Sequence, residues 1–240
     1  EGADLHDEWA AQQQDMVEAI ASITRPLLDP EKRLLQWYCN GEELTGISTR
    51  GRLSQAASDV MRNAFPETPR ISHDRLTSET GTDNFANVRR SILDKVFMMN
   101  GPQLLGQETS SQHKTVIAAV YRNQGILSSG AKGYIMTTPD AKKYEAMHKV
   151  WKSINAFVKA CSKEGDKGLP LVELTATLRM PPFGIRPRLL SLIIGAAFRE
   201  HVLRGSLSLR EKNRPAVPIS GLLLDKAIVD PEAFHLVFAT

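Results

Sequence analysis

The side chains best suited by type and spacing to do chemistry are cations gathered at two places. Arg204, Arg210, Lys212 and Arg214 surround the segment 203–219, and Arg186 and Arg188 open the apolar run before it. Earlier in the chain, Lys114, Arg122 and Lys132 fall around a Gly-containing segment at 126–136, beside Gln112, His113 and Asn123. Cations at helix starts and hairpin tips neutralise phosphates, which holds a protein on a duplex without reading its bases. These bases are the candidate nucleic-acid-binding residues.

Catalytic arrangements are missing from the sequence. The phosphate-cradling GxxxxGK[ST] loop is absent, as is GxGxxG. The nearest Gly-rich piece, SSGAKGY at 128–134, lacks the spacing and the following helix, and reads as a turn. Neither a G-x-S-x-G elbow nor an H-E-x-x-H helix occurs. Asp225, Asp230 and Glu232 form no metal-nuclease pattern and read as a solvated face, and His113 and His201 read as helix-surface residues. Six scattered His and the distant pair Cys39 and Cys161 lack zinc-ligand spacing, and the two Cys read as reduced, buried thiols. The expectation is no catalytic residue, no metal and no cofactor in this stretch, whatever a parent chain does.

The positioning elements follow from hydrophobic periodicity. Residues 6–25 place Trp9, Met16, Val17, Ile20 and Ile23 on one helical face and stop at Arg25-Pro26, which predicts an amphipathic packing helix. Residues 33–39 form a short strand or helix ended by Asn40-Gly41. A helix over 54–65 turns Leu53, Ala56, Ala57, Val60, Met61 and Ala64 inward. Between Arg70 and Asp83 the pattern gives a short helix and a polar loop. A further helix over 84–99 carries Phe85, Val88, Ile92, Leu93, Val96 and Phe97, with Asp83 as N-cap and Asn100-Gly101-Pro102 as its close. Ser110 or Ser111 caps the next, which runs to Asn123 with Val116, Ile117, Val120 and Tyr121 inward. Gly125 ends it, and 126–136 reads as two short strands about a turn.

Three helices followed by a hairpin is the winged-helix order, and it recurs downstream. Residues 142–162 form a long helix carrying Met147, Val150, Trp151, Ile154, Phe157 and Val158, and 171–178 a short one. Pro181-Pro182 breaks the chain, and Pro187 sits in the first turn of an apolar helix. A hairpin over 203–209 and 216–219, a helix over 221–229 and a strand over 234–238 complete the set. The predicted fold is mainly α with short β-hairpins (α+β). An acidic connector helix (1–32) precedes two winged-helix-like domains, 33–138 and 139–240. In the second domain Leu189, Leu190, Leu192, Ile193, Ile194, Ala196, Ala197 and Phe198 cover nearly every face of the apolar helix, so it reads as core. A groove-reading helix needs a polar outer face, which makes the first domain the better reader.

Composition sets the outer bounds. At 42% hydrophobic and 24% charged the chain suits a globular protein, and no apolar run is long enough to span a bilayer. The N-terminus lacks the basic-then-apolar form of a signal peptide. A cytoplasmic location without membrane partners is therefore expected. The opening EGADL, without Met, suggests a piece of a longer protein. Charge is uneven: residues 1–31 hold eight acidic side chains against Arg25 alone, leaving 29 of the 30 Lys and Arg but only 19 of the 27 acids beyond them. A basic body favours a polyanionic partner.

Three blocks resemble a known family. PRISHDRLTSETGTDNFANVRRSILDKVF (69–97), LLGQETSSQHKTVIAAVYRNQGIL (104–127) and above all LRMPPFGIRPRLLSLIIGAAF (178–198) are similar to segments of very large bacterial P-loop ATPases of phage-defence islands, including BREX-type systems. In those proteins the region lies outside the nucleotide-binding core. The resemblance implies a non-catalytic part of an antiviral-defence ATPase, with other defence proteins or the rest of its own chain as partners. It carries over no functional residue. The alternatives are a stand-alone winged-helix DNA-binding regulator and a pure protein-interaction scaffold.

Overall fold

The computed structural model describes residues 14, 16–20, 22, 36–39, 41–47, 49–73, 76 and 85–238. The expected positions of Trp9, Ile23, Asn40, the Asp83 cap and most of the 70–83 segment lie outside these. The protein is a mainly helical α+β chain with small antiparallel sheets. Among the described residues no helix is long and apolar enough to cross a membrane. The chain divides into two units, Glu1–Ala64 and Phe65–Thr240.

In the first unit, residues 14, 16–20 and 22 are helical and all exposed, Met16, Val17 and Ile20 included. The described part of the face expected to pack is therefore in solvent. Strands β1 (Tyr38–Cys39) and β2 (Glu42–Glu43) form a minimal hairpin. Gly41 turns it at φ +85°, a conformation that costs glycine little, and the Leu44 N–H donates to the Trp37 carbonyl at 2.6 Å. Helix α1 (Arg50–Ala64) follows. Of its expected inward residues Leu53, Ala56 and Val60 are half-buried, whereas Ala57, Met61 and Ala64 are exposed. No described residue of this unit is a buried hydrophobic, so local bonds carry much of α1. The Arg52 N–H donates to Thr49 Oγ1 at 3.2 Å, and the Arg62 guanidinium reaches Asp59 at 2.7 Å.

The second unit begins with α2 (Ala86–Val96), α3 (Gly101–Gly106), α4 (Ser111–Ile117) and a five-residue π turn, Ala118–Arg122. Strands β3 (Leu127–Gly130) and β4 (Gly133–Met136) pair as a hairpin with Leu127 opposite Met136. Then come α5 (Glu145–Glu164), a 3₁₀ turn at Gly165–Lys167, β5 (Leu169–Pro170), α6 (Leu171–Arg179) and α7 (Pro187–Leu203). Strands β6 (Leu207–Glu211) and β7 (Ala216–Pro218), helix α8 (Gly221–Val229) and strand β8 (Phe234–Phe238) close it. The last sheet runs β5-β8-β6-β7, all antiparallel, with Leu209 opposite both Leu236 and Val217.

Helix α7 is the axis of this unit. Every residue from Leu189 to Arg199 is buried, as its all-round apolar pattern demands. It packs on α2, α5, α8 and the π turn. Gly195 lets two of these close in, since a methyl there would lie 3.2 Å from Leu224 and nearer still to Leu93. One hydrophobic core runs from Leu76 to Leu236, across the 138/139 point where the sequence suggests a domain division.

Three local departures have plain causes. Asn100-Gly101-Pro102, expected only to end α2, also opens α3, because Pro102 suits a first helical turn. Strand β6 starts at 207 because α7 continues to Leu203. The Gly205 N–H then bonds Val202 O and the Ser206 N–H bonds His201 O, a Schellman end with Gly205 at φ +69°. Strand β8, expected simply as a last strand, inserts between β5 and β6, and its Phe234, Leu236 and Val237 are buried.

Candidate nucleic-acid interface

The first group of candidate bases sits on α4 and the hairpin after it. Val116 and Ile117 point into the core, leaving Ser111, Gln112, Lys114 and Thr115 exposed. Ser110 occupies the N-cap position, yet its hydroxyl pairs with His113 Nδ1 at 2.9 Å and caps no backbone N–H. Glu108 takes over near that end, accepting from the N–H groups of Thr109 (2.9 Å) and Ser110 (3.0 Å) while paired with Lys95. The hydrogen bond from the Lys95 ammonium, with these backbone donors, holds the Glu108 carboxyl down at about 2.

The π turn then aims side chains in opposite directions. Tyr121 is fully buried and its hydroxyl donates to the Leu192 carbonyl at 3.1 Å, pinning the turn to α7; burial pushes its phenol far up. Arg122 faces outward. Its guanidinium donates to the Gly106 carbonyl at 2.7 Å and lies over the Tyr134 ring at 5.5 Å, while that ring packs on Gly106 where a Cβ would otherwise stand. Arg122 is thus a tie between helix and hairpin as well as a surface cation. Lys132 is exposed at the hairpin turn, and Asn123 is exposed after Arg122.

The second group is less uniform. Arg186 is exposed at the N-cap of α7, Arg188 is half-buried in its first turn, and Arg204 is exposed at its C-cap. Arg210 donates to the carbonyls of Asp166, at 2.8 Å, and Lys167, joining β6 to the 3₁₀ turn. Lys212 projects at the β6–β7 turn, where its backbone N–H holds Ala233 O at 2.8 Å. Arg214 pairs with Glu211 at 2.9 Å, and Glu211 also takes Lys226 at 2.9 Å. The hydrogen bond from Lys226 holds the Glu211 carboxyl low. That carboxylate offsets part of the hairpin's positive charge. His235 lies opposite Arg210 in the sheet, and burial first, then Arg210 and Lys212, lower its basicity.

Asp225 is the residue that sequence reasoning placed wrongly. Far from being solvated, its side chain is 3% exposed. It accepts from Arg89 Nε (3.0 Å) and Nη2 (3.2 Å), from Arg90 Nε (3.1 Å) and from Ser191 Oγ (3.2 Å). One carboxylate thereby clamps α2, α7 and α8. The signal was present: Asp225 shares a helical face with buried Gly221, Leu224 and Ile228, and Arg89 shares one with Ile92, Leu93 and Val96. Arg199 is a second buried cation, and its guanidinium caps the end of α2 through the carbonyls of Met98 and Met99, each at 3.0 Å.

Among the described residues no group of three or more His, Cys, Asp or Glu could hold a metal ion. Cys161 is buried, its thiol bonded to the Leu236 carbonyl at 3.1 Å, while Cys39 is half-buried and free. No family model matches the chain, and neither does any curated protein or solved structure.

Proposed function

We propose that this chain is a non-catalytic, tandem winged-helix region of a bacterial antiphage-defence ATPase, which docks against partner proteins and holds duplex DNA without reading its sequence. The observation that carries the DNA half is α4. It follows two helices, precedes a hairpin, and presents Gln112, Lys114 and Thr115 outward with Arg122 and Lys132 beyond. The order α5, α6, α7, then β6–β7 supports a second copy of the arrangement, with β8 added to its sheet. Burial of α7 speaks against base readout there, so the cations around it serve phosphates. The ATPase half is supported by the sequence resemblance at 69–97, 104–127 and 178–198.

A scaffold without nucleic acid is the second reading, favoured by Glu211, which neutralises part of the β6–β7 hairpin. Duplex binding by the whole chain, followed by fluorescence anisotropy over a range of salt, decides between them. Equal affinity for unrelated duplexes, falling linearly in log–log form with salt, is expected. Lack of binding at low salt would leave the scaffold. Retention of one sequence alone at physiological salt would point to a regulator. The purified chain is expected to hydrolyse no ATP, and measurable turnover would remove the non-catalytic assignment.

A further inference from the structure

Helix α5 is 20 residues long, roughly 30 Å at 1.5 Å per residue. One face buries Met147, Val150, Trp151, Ile154, Val158 and Cys161. The opposite face exposes Lys152, Asn155, Ala156, Lys159, Ala160 and Lys163, with exposed Glu145 at its N-terminal end and exposed Glu164 beside its C-terminal end. Some cations of the unit are matched: Lys95 with Glu108, Arg214 and Lys226 with Glu211, and, on α5 itself, Lys149 with Glu145 and Glu67. Lys152, Lys159 and Lys163 form no ion pair with any described residue. Glu164, the next acid along, faces Lys167 at 3.8 Å. Like charges four apart, as at 159 and 163, cost an isolated helix a few tenths of a kcal/mol, and an external anion would relieve that repulsion.

Two more cations follow the helix, next to the acids Glu164 and Asp166. Lys167 stands 83% exposed in the 3₁₀ turn, and the Arg210 guanidinium is fastened to that turn's carbonyls. From α5 the geometry points to a second DNA-contacting surface, Lys152–Lys159–Lys163–Lys167–Arg210, that tracks the phosphate backbone of a duplex. It rests on the proposed function for its partner but uses residues other than those of α4. The alanines between the lysines leave the face low, so a rod of phosphates can approach closely. Lysine ammoniums are point charges that suit sequence-independent contact. The stripe lacks the apolar or aromatic anchor that the core of a protein interface requires, and no outward apolar face suits it to a lipid surface. Duplex DNA, with one charge per about 1.7 Å of axis, suits lysines spaced along one face of a helix.

The test compares duplex affinity against salt for the full chain, for Lys152→Gln/Lys159→Gln/Lys163→Gln, and for Lys114→Gln/Lys132→Gln. Three lost phosphate contacts should make the log–log slope shallower by about 2.7, and two by about 1.8. The thermal midpoint of the α5 variant should match or exceed wild type, since its lysines are exposed and repel one another. An unchanged slope in the α5 variant, with wild type and the α4-hairpin variant behaving as expected, overturns this inference and leaves the proposed function standing. Failure of wild type to bind any duplex removes both. Wild type that binds poly-glutamate through these three lysines and ignores duplex would overturn DNA as the partner.

Discussion

Replacing Asp225 by Asn tests what holds the second unit together. The substitution keeps shape and volume and removes one charge from a site where Arg89 is 2% exposed and Arg90 is 38% exposed. Arg89 loses a two-point carboxylate contact in a dry site, and Ser191 loses its charged acceptor. Breaking a buried pair from one side costs about 3–5 kcal/mol, because a desolvated cation loses a carboxylate partner. Arg90 adds little to this, being screened by solvent. For a unit of this size each kcal/mol moves the midpoint by roughly 2–4 °C, so a fall of roughly 6–20 °C is expected. Calorimetry or far-UV circular dichroism reads it directly. The double variant Arg89→Met/Asp225→Leu should recover much of the loss, since removing both charges of a buried pair is often close to neutral. Asp225→Asn melting within about 2 °C of wild type would refute the claim that this carboxylate clamps α2, α7 and α8.

Gly221→Ala should also lower the midpoint, by an amount equal to about 1–3 kcal/mol. Its methyl would sit 2.7 Å from the Arg90 carbonyl and 2.5 Å from Asp94 Oδ1, which accepts the Gly221 N–H. Tyr121→Phe should cost about 0.5–1.5 kcal/mol in urea unfolding by losing the bond to Leu192 O. Glu108 gives a pH signature. Its carboxyl drops from an ordinary 4.5 to about 2 in the folded state, so its contribution is full above pH 4.5 and drains away as pH falls toward 2. Glu108→Gln should be less stable at neutral pH and show a flatter stability profile between those two values. His201 has its basicity lowered by burial first and then by Arg204, so its contribution is present above its ordinary 6.5 and is lost on acidification. A His201→Phe variant should lose less stability between pH 7 and 5 than wild type.

Much of the second unit was legible because single apolar patterns decide it. Helix α8 and strand β8 fall on the residues that periodicity predicts, and the all-round apolar run of α7 identified it as core. Gly125 ends the π turn at φ +72°, as its position after Asn123 suggested. Less was legible where a short element depends on partners distant in sequence. Strand β5 is two residues long and exists only because β8 pairs with it. Helix α3 hid behind a Gly-Pro signal that both ends one helix and begins another. The clamp at Asp225 was missed because charged side chains were assigned to solvent by type, although their helical phase placed them inside. The α5 lysines are a different case: the apolar periodicity of an amphipathic helix marks its buried half and is silent about the charged half. In the first unit the pattern of Met16, Val17, Ile20 and Met61 implied packing, and each of these side chains is exposed. Amphipathicity shows that a face is apolar without supplying the partner that covers it.

The central proposal, that this chain holds DNA by its phosphates, is tested most directly by the salt dependence of duplex binding by the whole chain. The account predicts binding at low salt to unrelated duplexes alike. The log–log slope should steepen by about 0.9 for each phosphate neutralised and relax when the α4-hairpin or α5 lysines are replaced. Absence of binding at low salt, or an affinity that salt does not change, would contradict it.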